Sequence, residues 1–468
     1  MRPQKIILFE LNEVPKKILD YFIQSRPQSW LARTTNSRKY FDTYMPNVGH
    51  LSPWNTWPSF HRGVPNDKHF LSDFNQDTKE VDAEFPPIWK VLAQEGARVG
   101  VFGSLHSFPV PGNLKNVAFH VPDVFAPASD CIPEEVSIFQ EINLALSRES
   151  SRNVNGRIPV REASKLAMSF RQLGFRLSTV TDIVGQLISE RHDNWKTTRR
   201  RTYQSVIGFD VFFKQLCKSK PDFVTFFTNH VASSMHRYWA ASFPEDYENF
   251  KFPRDWVDTY EDEVLWTMQK ADDMLERLGR FVDQNPEYML VCASSMGQEA
   301  VECEPTETQL YVSDSKKFLS NLGVGAEDCE ILPAMVPQFN YRVHNGADEF
   351  EATLERTSIN GNALQFRRAE SGFFSIDLGQ RNLPTVNLEV VGKAIAYEDS
   401  GLNNTVIEDM SSASAYHIPQ GHLWTYHPSF DVKPLGQRTV EISALDFFQA
   451  AQSTILRGEG SFLSDMSS

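Results

Sequence analysis

Pro53-Trp-Asn-Thr-Trp-Pro-Ser-Phe-His-Arg-Gly-Val-Pro-Asn-Asp-Lys-His69 is the stretch on which the reading of this chain turns. Thr56 stands before an aromatic–proline step, Trp57-Pro58, and the segment closes on Gly63-Val64-Pro65 and His69. A threonine placed so has an ordinary use, capping the helix that follows. Its surroundings ask for more. Upstream, Lys5–Leu11 (Lys-Ile-Ile-Leu-Phe-Glu-Leu) is a short apolar run of the kind that forms a buried parallel strand. Downstream, Pro87–Pro109 reads as helix, glycine stop and strand. Asp222–Trp239 reads as a strand running into a loop that carries His230 and His236. Tyr288–Gln298 is a strand ending in Ser294-Ser295-Met296-Gly297-Gln298, and Tyr416–Leu423 contains His-Ile-Pro-Gln-Gly-His-Leu. Strands alternating with helices in this way point to an α/β chain with a parallel sheet.

Five such landmarks, in this order around a Thr-aromatic-Pro step, resemble the alkaline phosphatase superfamily, and within it the type I phosphodiesterase/nucleotide pyrophosphatase-like branch. The resemblance implies an alkaline-phosphatase-like core, a mostly parallel central sheet flanked by helices, with Thr56 as the attacking hydroxyl. It also implies two metals beside that hydroxyl. Carried onto this chain, the first metal site becomes Asn12, Ser295 and Met296, and the second Ala232, His236 and His417. Three expected carboxylates and one imidazole are thus replaced. Methionine suits Zn²⁺ or Mg²⁺ poorly, and two divalent ions with no carboxylate between them repel. The usual binuclear centre is not expected. One divalent metal, Zn or Mn, remains open, held by His236 and His417 with His230 as third ligand and a free position for water or phosphate. The bland alternative is that these histidines hydrogen-bond within a vestigial cleft. Glu10 and Glu13 flank Asn12, and either is a source of compensating charge; spacing does not choose between them.

The same resemblance sorts the remaining candidates. His61 and Arg62 are expected to orient or neutralise a phosphate, Arg62 having a surface ion pair as its alternative. Asn12, Ser295, Gln298 and His422 are expected to touch substrate, because ligands bind at strand ends in open α/β sheets. A sulfatase is disfavoured, since Thr56 cannot become formylglycine and Phe60 stands where that motif has arginine.

Composition sets the wider bounds. At 468 residues, 41% hydrophobic and 12% aromatic, the chain can bury a large core. Its 46 basic and 60 acidic residues give −14, which disfavours nonspecific binding to nucleic acid or to an anionic membrane. No apolar run approaches the roughly 18 residues of a membrane span. The N-terminus leads straight into the first strand, and five scattered cysteines suit reduced thiols; both favour a cytoplasmic setting. The pattern divides into an α/β core (1–132, 219–329, 401–468), a helical cap (133–218) and a β-rich insertion (330–400). The cap is expected to hold helices at Glu134–Ser147, Val160–Leu187 and Thr197–Lys218, with Arg199-Arg200-Arg201 a solvated face or an anion guide. Trp256–Val282 reads as one amphipathic helix, and Gly458–Ser468 as a frayed tail.

The functional expectation is a divergent phosphoester hydrolase or phosphotransferase acting on a phosphorylated small molecule or glycan intermediate. The alternative is an inactive member that binds a ligand or partner, with polysaccharide biosynthesis as the setting. Oligomeric state is not legible.

Overall fold

The computed structural model describes residues 4–73, 76–112, 115–148, 169–325, 327–332, 334, 338–369, 372–429 and 441–457. The expected tail Gly458–Ser468, and residues 160–168 of the expected helix Val160–Leu187, lie outside them.

The strands of the larger unit are β1 (Lys5–Leu11), β2 (Arg38–Tyr44), β3 (Val99–Phe102), β4 (Val117–Val121), β5 (Phe223–Thr228), β6 (Tyr288–Ser294), β7 (Gly297–Ala300), β8 (Ala415–Ile418), β9 (Gln420–Tyr426) and β10 (Glu441–Ser443). Eight of them form one sheet in the order β10-β2-β9-β6-β1-β5-β3-β4. Only β9 runs against its neighbours; the other pairs are parallel. The apolar runs of β1, β5 and β6 take the middle of the sheet, where both faces are covered.

The longer helices are α1 (Lys16–Ser25), α2 (Pro53–Arg62), α3 (Ile88–Gln94), α4 (Ser137–Arg148), α5 (Leu177–His192), α6 (Arg200–Ser219), α7 (His230–Ser242), α8 (Glu263–Gln284) and α9 (Asp446–Arg457). Alternation along β1 divides them between the faces. Ile6 and Leu8 share a core with Trp57 and Phe60 of α2, Trp89 of α3 and Phe447 of α9. Phe9 points the other way, to Phe209 of α6 and Phe226 of β5.

Residues 133–218 are rich in helix where described, but α6 is a flanking helix of the sheet and no part of a cap over strand ends. Phe209 and Phe212 on one of its faces pack against Phe226, the first edge-on and the second tilted, and Phe212 also meets Phe102 and Phe119. Gly174, at φ 87°, ends the short helix Phe170–Leu173 before α5 begins. The arginine run is largely paired: Arg199 forks onto Glu263 and Arg200 onto Glu190. The helix expected over Trp256–Val282 is two, Arg254–Tyr260 and α8.

The second unit spans 304–412, wider than the 330–400 expected. The reason is a strand pair, Thr308–Val312 with Leu402–Val406, that closes it at both ends. Two small antiparallel sheets lie between, and Leu310, Phe318, Tyr341, Phe350, Phe374 and Ile376 give it a core of its own. Asn360-Gly361 makes the expected tight turn, both residues in the left-handed region. Gly346 instead opens the helix Ala347–Glu355.

Close strand approach near the site depends on glycine. A Cβ on Gly421 would lie 2.3 Å from the Ser294 carbonyl and 2.9 Å from Thr43 Oγ1. Gly421→Ala is therefore expected to push β9 off β6 and to cost about 1–3 kcal/mol, read as a lowered urea midpoint. An unshifted midpoint would contradict this packing.

Candidate functional site

Three neighbouring parallel strands, β5, β1 and β6, end together, and the groups expected to do chemistry gather at those ends. After β1 the chain passes Asn12 and turns at Glu13, a non-glycine residue at φ 60°. After β5 it enters α7 with His236 on it; after β6 it passes Ser295 and enters β7. β7 pairs antiparallel with β8 so that His417 lies opposite Gln298.

The turn brings the Glu13 carboxylate between two imidazoles. Its Oε2 lies 2.9 Å from His236 Nε2 and 3.3 Å from His417 Nε2. One ligand atom from each of the three residues falls within 4.8 Å of the others. Both rings are locked from behind. His236 donates its Nδ1–H to the Ala415 carbonyl at 2.7 Å, and His417 donates its own to the Leu51 carbonyl at 2.8 Å. Each Nε2 is thereby aimed at the carboxylate. A neutral ring would point a lone pair at an anion there, so the geometry calls for a proton or a cation between them.

The surroundings hold Glu13 in place. Asn12 donates from Nδ2 to Glu13 Oε1 at 2.8 Å and to Asn229 Oδ1 at 2.7 Å, and accepts from Trp57 Nε1 at 2.7 Å. Gln298 donates from Nε2 to Glu13 Oε2. Burial pushes the Glu13 carboxyl up, but His417 and His236 together hold it well below the usual range. Burial pulls His417 down, while Glu13 and the bond to Leu51 carry it above its ordinary value.

Thr56 sits in the second turn of α2 and is fully buried. The helix N-cap is Ser52, in a reciprocal box with Asn55, so Thr56 is no cap. Its hydroxyl bonds the Ser52 carbonyl at 3.1 Å and Ser295 Oγ at 2.9 Å. The loop leading into α2 is tied to β8 by His417 and by a 3.4 Å contact between the Tyr416 hydroxyl and His50 Nε2.

Several sequence candidates lie elsewhere. His61, expected near phosphate, is buried under α2 with its Nε2 2.8 Å from Glu10 Oε1. Arg62 is equally buried, bound to Asp82 at 2.7 Å, so its ion pair is an interior one. His230 opens α7 and spends both ring nitrogens, accepting from Thr228 Oγ1 at 2.7 Å and donating to the Thr267 carbonyl at 3.1 Å. Burial pulls it down to about 4, a neutral ring outside the cluster. His422 is enclosed in the sheet, donating to the Val14 carbonyl at 2.7 Å, and is also pulled by burial to about 4. Asn12, Gln298 and Ser295 do converge at the site, but as supports. Glu13 is the residue the sequence offered only as stray charge.

The three residues suit one cation. Ligands about 2.0–2.1 Å from a tetrahedral ion stand roughly 3.3 Å apart; the two edges at Glu13 are 2.9 and 3.3 Å, and the third is within 4.8 Å. Glu with two His, each ring donating Nδ1–H to a carbonyl, is a donor set suited to Zn²⁺ or Mn²⁺.

No family model matches this chain, and no curated protein does. Among solved structures it is similar to murine ectonucleotide pyrophosphatase/phosphodiesterase 5, at 8% identity and TM-score 0.40, covering 96% of this chain and 95% of that one. It is similar also to phosphonoacetate hydrolase from Sinorhizobium meliloti 1021 in complex with phosphonoformate, at 14% identity and TM-score 0.41, covering 97% and 96%. The human form of the first gives 10% and 0.37 over 96% and 94%. At such identities the residues of the site, and not these neighbours, carry the chemistry.

Proposed function

We propose that this chain is a divergent phosphoester hydrolase or phosphotransferase of the alkaline phosphatase superfamily that works with one divalent cation on Glu13, His236 and His417. The observation that supports it is the convergence of those three ligand atoms within 4.8 Å, with both imidazoles fixed from behind. When bound, the cation would supply Lewis acidity to a phosphoryl oxygen. Thr56 is the nucleophile in this reading. Ser52 and Ser295 hold its hydroxyl in one orientation, and the first turn of α2 places amide dipoles that favour an incoming anion. Asn12 and Gln298 fix the carboxylate. The substrate class is a phosphorylated small molecule or glycan intermediate, and the setting cytoplasmic. Among the described residues no helix is long and apolar enough to cross a membrane.

A second reading has its own support. Asn12 bonds Glu13, Asn229 and Trp57, and Thr56 is closed off from solvent. Both fit a non-catalytic protein that binds such a ligand. Metal content by plasma mass spectrometry separates the two. About one equivalent is expected, lost in His417→Ala and kept in His230→Ala, with ester cleavage lost in Thr56→Ala. Metal-free protein that turns over no phosphoester would hand the site to the binding role.

A further inference from the structure

Helix α5 is built inside out. Its buried residues are polar: Thr179, Gln186 and Glu190. Gln186 donates to Glu190 Oε1 at 2.9 Å and to the Lys196 carbonyl at 2.8 Å, and Glu190 pairs with Arg200. Ile183 and Leu187 are half-buried beside them, but four large apolar residues face solvent, Leu177 at 75% exposure, Val180 at 37%, Val184 at 49% and Ile188 at 52%. Spacings of three, four and four residues put these four within an arc of about 80°. Thr181 and Gly185 border the stripe, and a Cβ on Gly185 would meet open space. A helix that only shielded the core would carry the reverse pattern.

Charge brackets the stripe. Arg176 lies at the helix N-cap and Arg191 one turn beyond Ile188, with Arg171 further upstream, all exposed. None of these three side chains has an ion pair or hydrogen bond among the described residues. The nearby acids are answered locally, Asp182 by Lys270 and Asp193 by Lys196. In a chain of net charge −14 this is a local cationic rim around an apolar ridge.

A second copy of the chain suits this face poorly. The four side chains expose on the order of 400 Å², about half of what each partner gives to a standard interface. A two-fold pairing of α5 would also set arginine against arginine, whether the helices ran parallel or antiparallel. An anionic bilayer meets both features at once, taking the ridge at the headgroup–acyl boundary and the arginines at the phosphates. We propose that α5 is a peripheral membrane-binding helix that lays Leu177, Val180, Val184 and Ile188 on an anionic lipid surface.

The test is co-sedimentation of the full chain with phosphatidylcholine–phosphatidylglycerol vesicles, against phosphatidylcholine alone. Binding is expected to the mixed vesicles and to weaken as salt is raised. Leu177→Ser with Val184→Ser and Ile188→Ser should weaken it at least about tenfold, and each of Arg176→Glu and Arg191→Glu by about fivefold or more. These positions are exposed, so thermal midpoints should stay at the wild-type value. No binding to mixed vesicles, or binding equal in the triple serine variant, would overturn the proposal. So would a dimer seen by sedimentation velocity that the triple variant abolishes, which would assign the ridge to a second copy.

Discussion

Lowering the pH from 7 to 5 is expected to strip the fold of most of its stability. Five histidines are held neutral inside it: burial pulls His106 to about 3 and His69, His120, His230 and His422 to about 4. Each has its ring bonded to a fixed partner, such as the Trp54 carbonyl for His106 and the Ser107 carbonyl for His120. A folded value below the unfolded one means that the unfolded chain binds the proton first. Stability is then full above about 6.5 and lost as pH falls toward the folded values. At pH 5 each group costs about 2 kcal/mol, on the order of 9 kcal/mol for five. Asp123 opposes this, because burial raises it to about 6 and protonation relieves it, worth about 1 kcal/mol at pH 5, and Glu263, Asp272 and Asp273, also raised by burial, act in the same sense. The histidine cost alone is comparable to the whole stability of a typical domain. A urea midpoint at pH 5 equal to that at pH 7 would mean that these rings are charged in the native state.

Glu13→Gln should abolish cation binding and ester cleavage together while leaving the chain folded. Glutamine has the same length and keeps one oxygen, which serves the amide of Asn12 or that of Gln298 but not both. What it loses is the charge that sets both imidazoles. Removing even an outer partner of a metal ligand costs roughly 10–100-fold, so removing a ligand's charge should cost more than about 100-fold in affinity. His230→Ala, outside the cluster, should leave affinity unchanged. Retained metal and turnover in Glu13→Gln would place the chemistry elsewhere. Without metal the same contact carries a pH signature of its own. The depressed carboxyl contributes above its unfolded value near 4.3 and loses this as pH falls through the folded one. The raised His417 contributes below about 6.5 and loses it as pH rises through the folded one. The pair is one contact, and it is complete between those limits.

The sheet was legible because its central strands are apolar throughout, and only strands covered on both faces can afford that. The site was legible in part. His236 and His417 could be placed from their segments, but Glu13 could not, since strand alternation says nothing about a residue that leaves the strand in a left-handed turn. His61 and Arg62 look like active-site groups in sequence because their counter-charges, Glu10 and Asp82, are far away in it. His230 was misjudged through secondary structure. Read as loop, it lies near His236; read as the first residue of α7, six positions turn it about 240° away. The helical pattern of 133–218 was read as a cap, but Phe209 and Phe212 turn α6 onto the sheet, a packing that helical periodicity does not reveal.

The bond from His417 to the Leu51 carbonyl links the charge of the cluster to the stiffness of the helix that carries Thr56. An imidazole that is protonated or bound to a cation is a stronger Nδ1–H donor than a neutral one. Charging that ring, by a proton or a cation, would therefore tighten residues 50–52 and, through the Ser52 cap, the first turns of α2. A neutral ring would slacken the same path, so the hydroxyl would be held most firmly when His417 carries a proton or a cation.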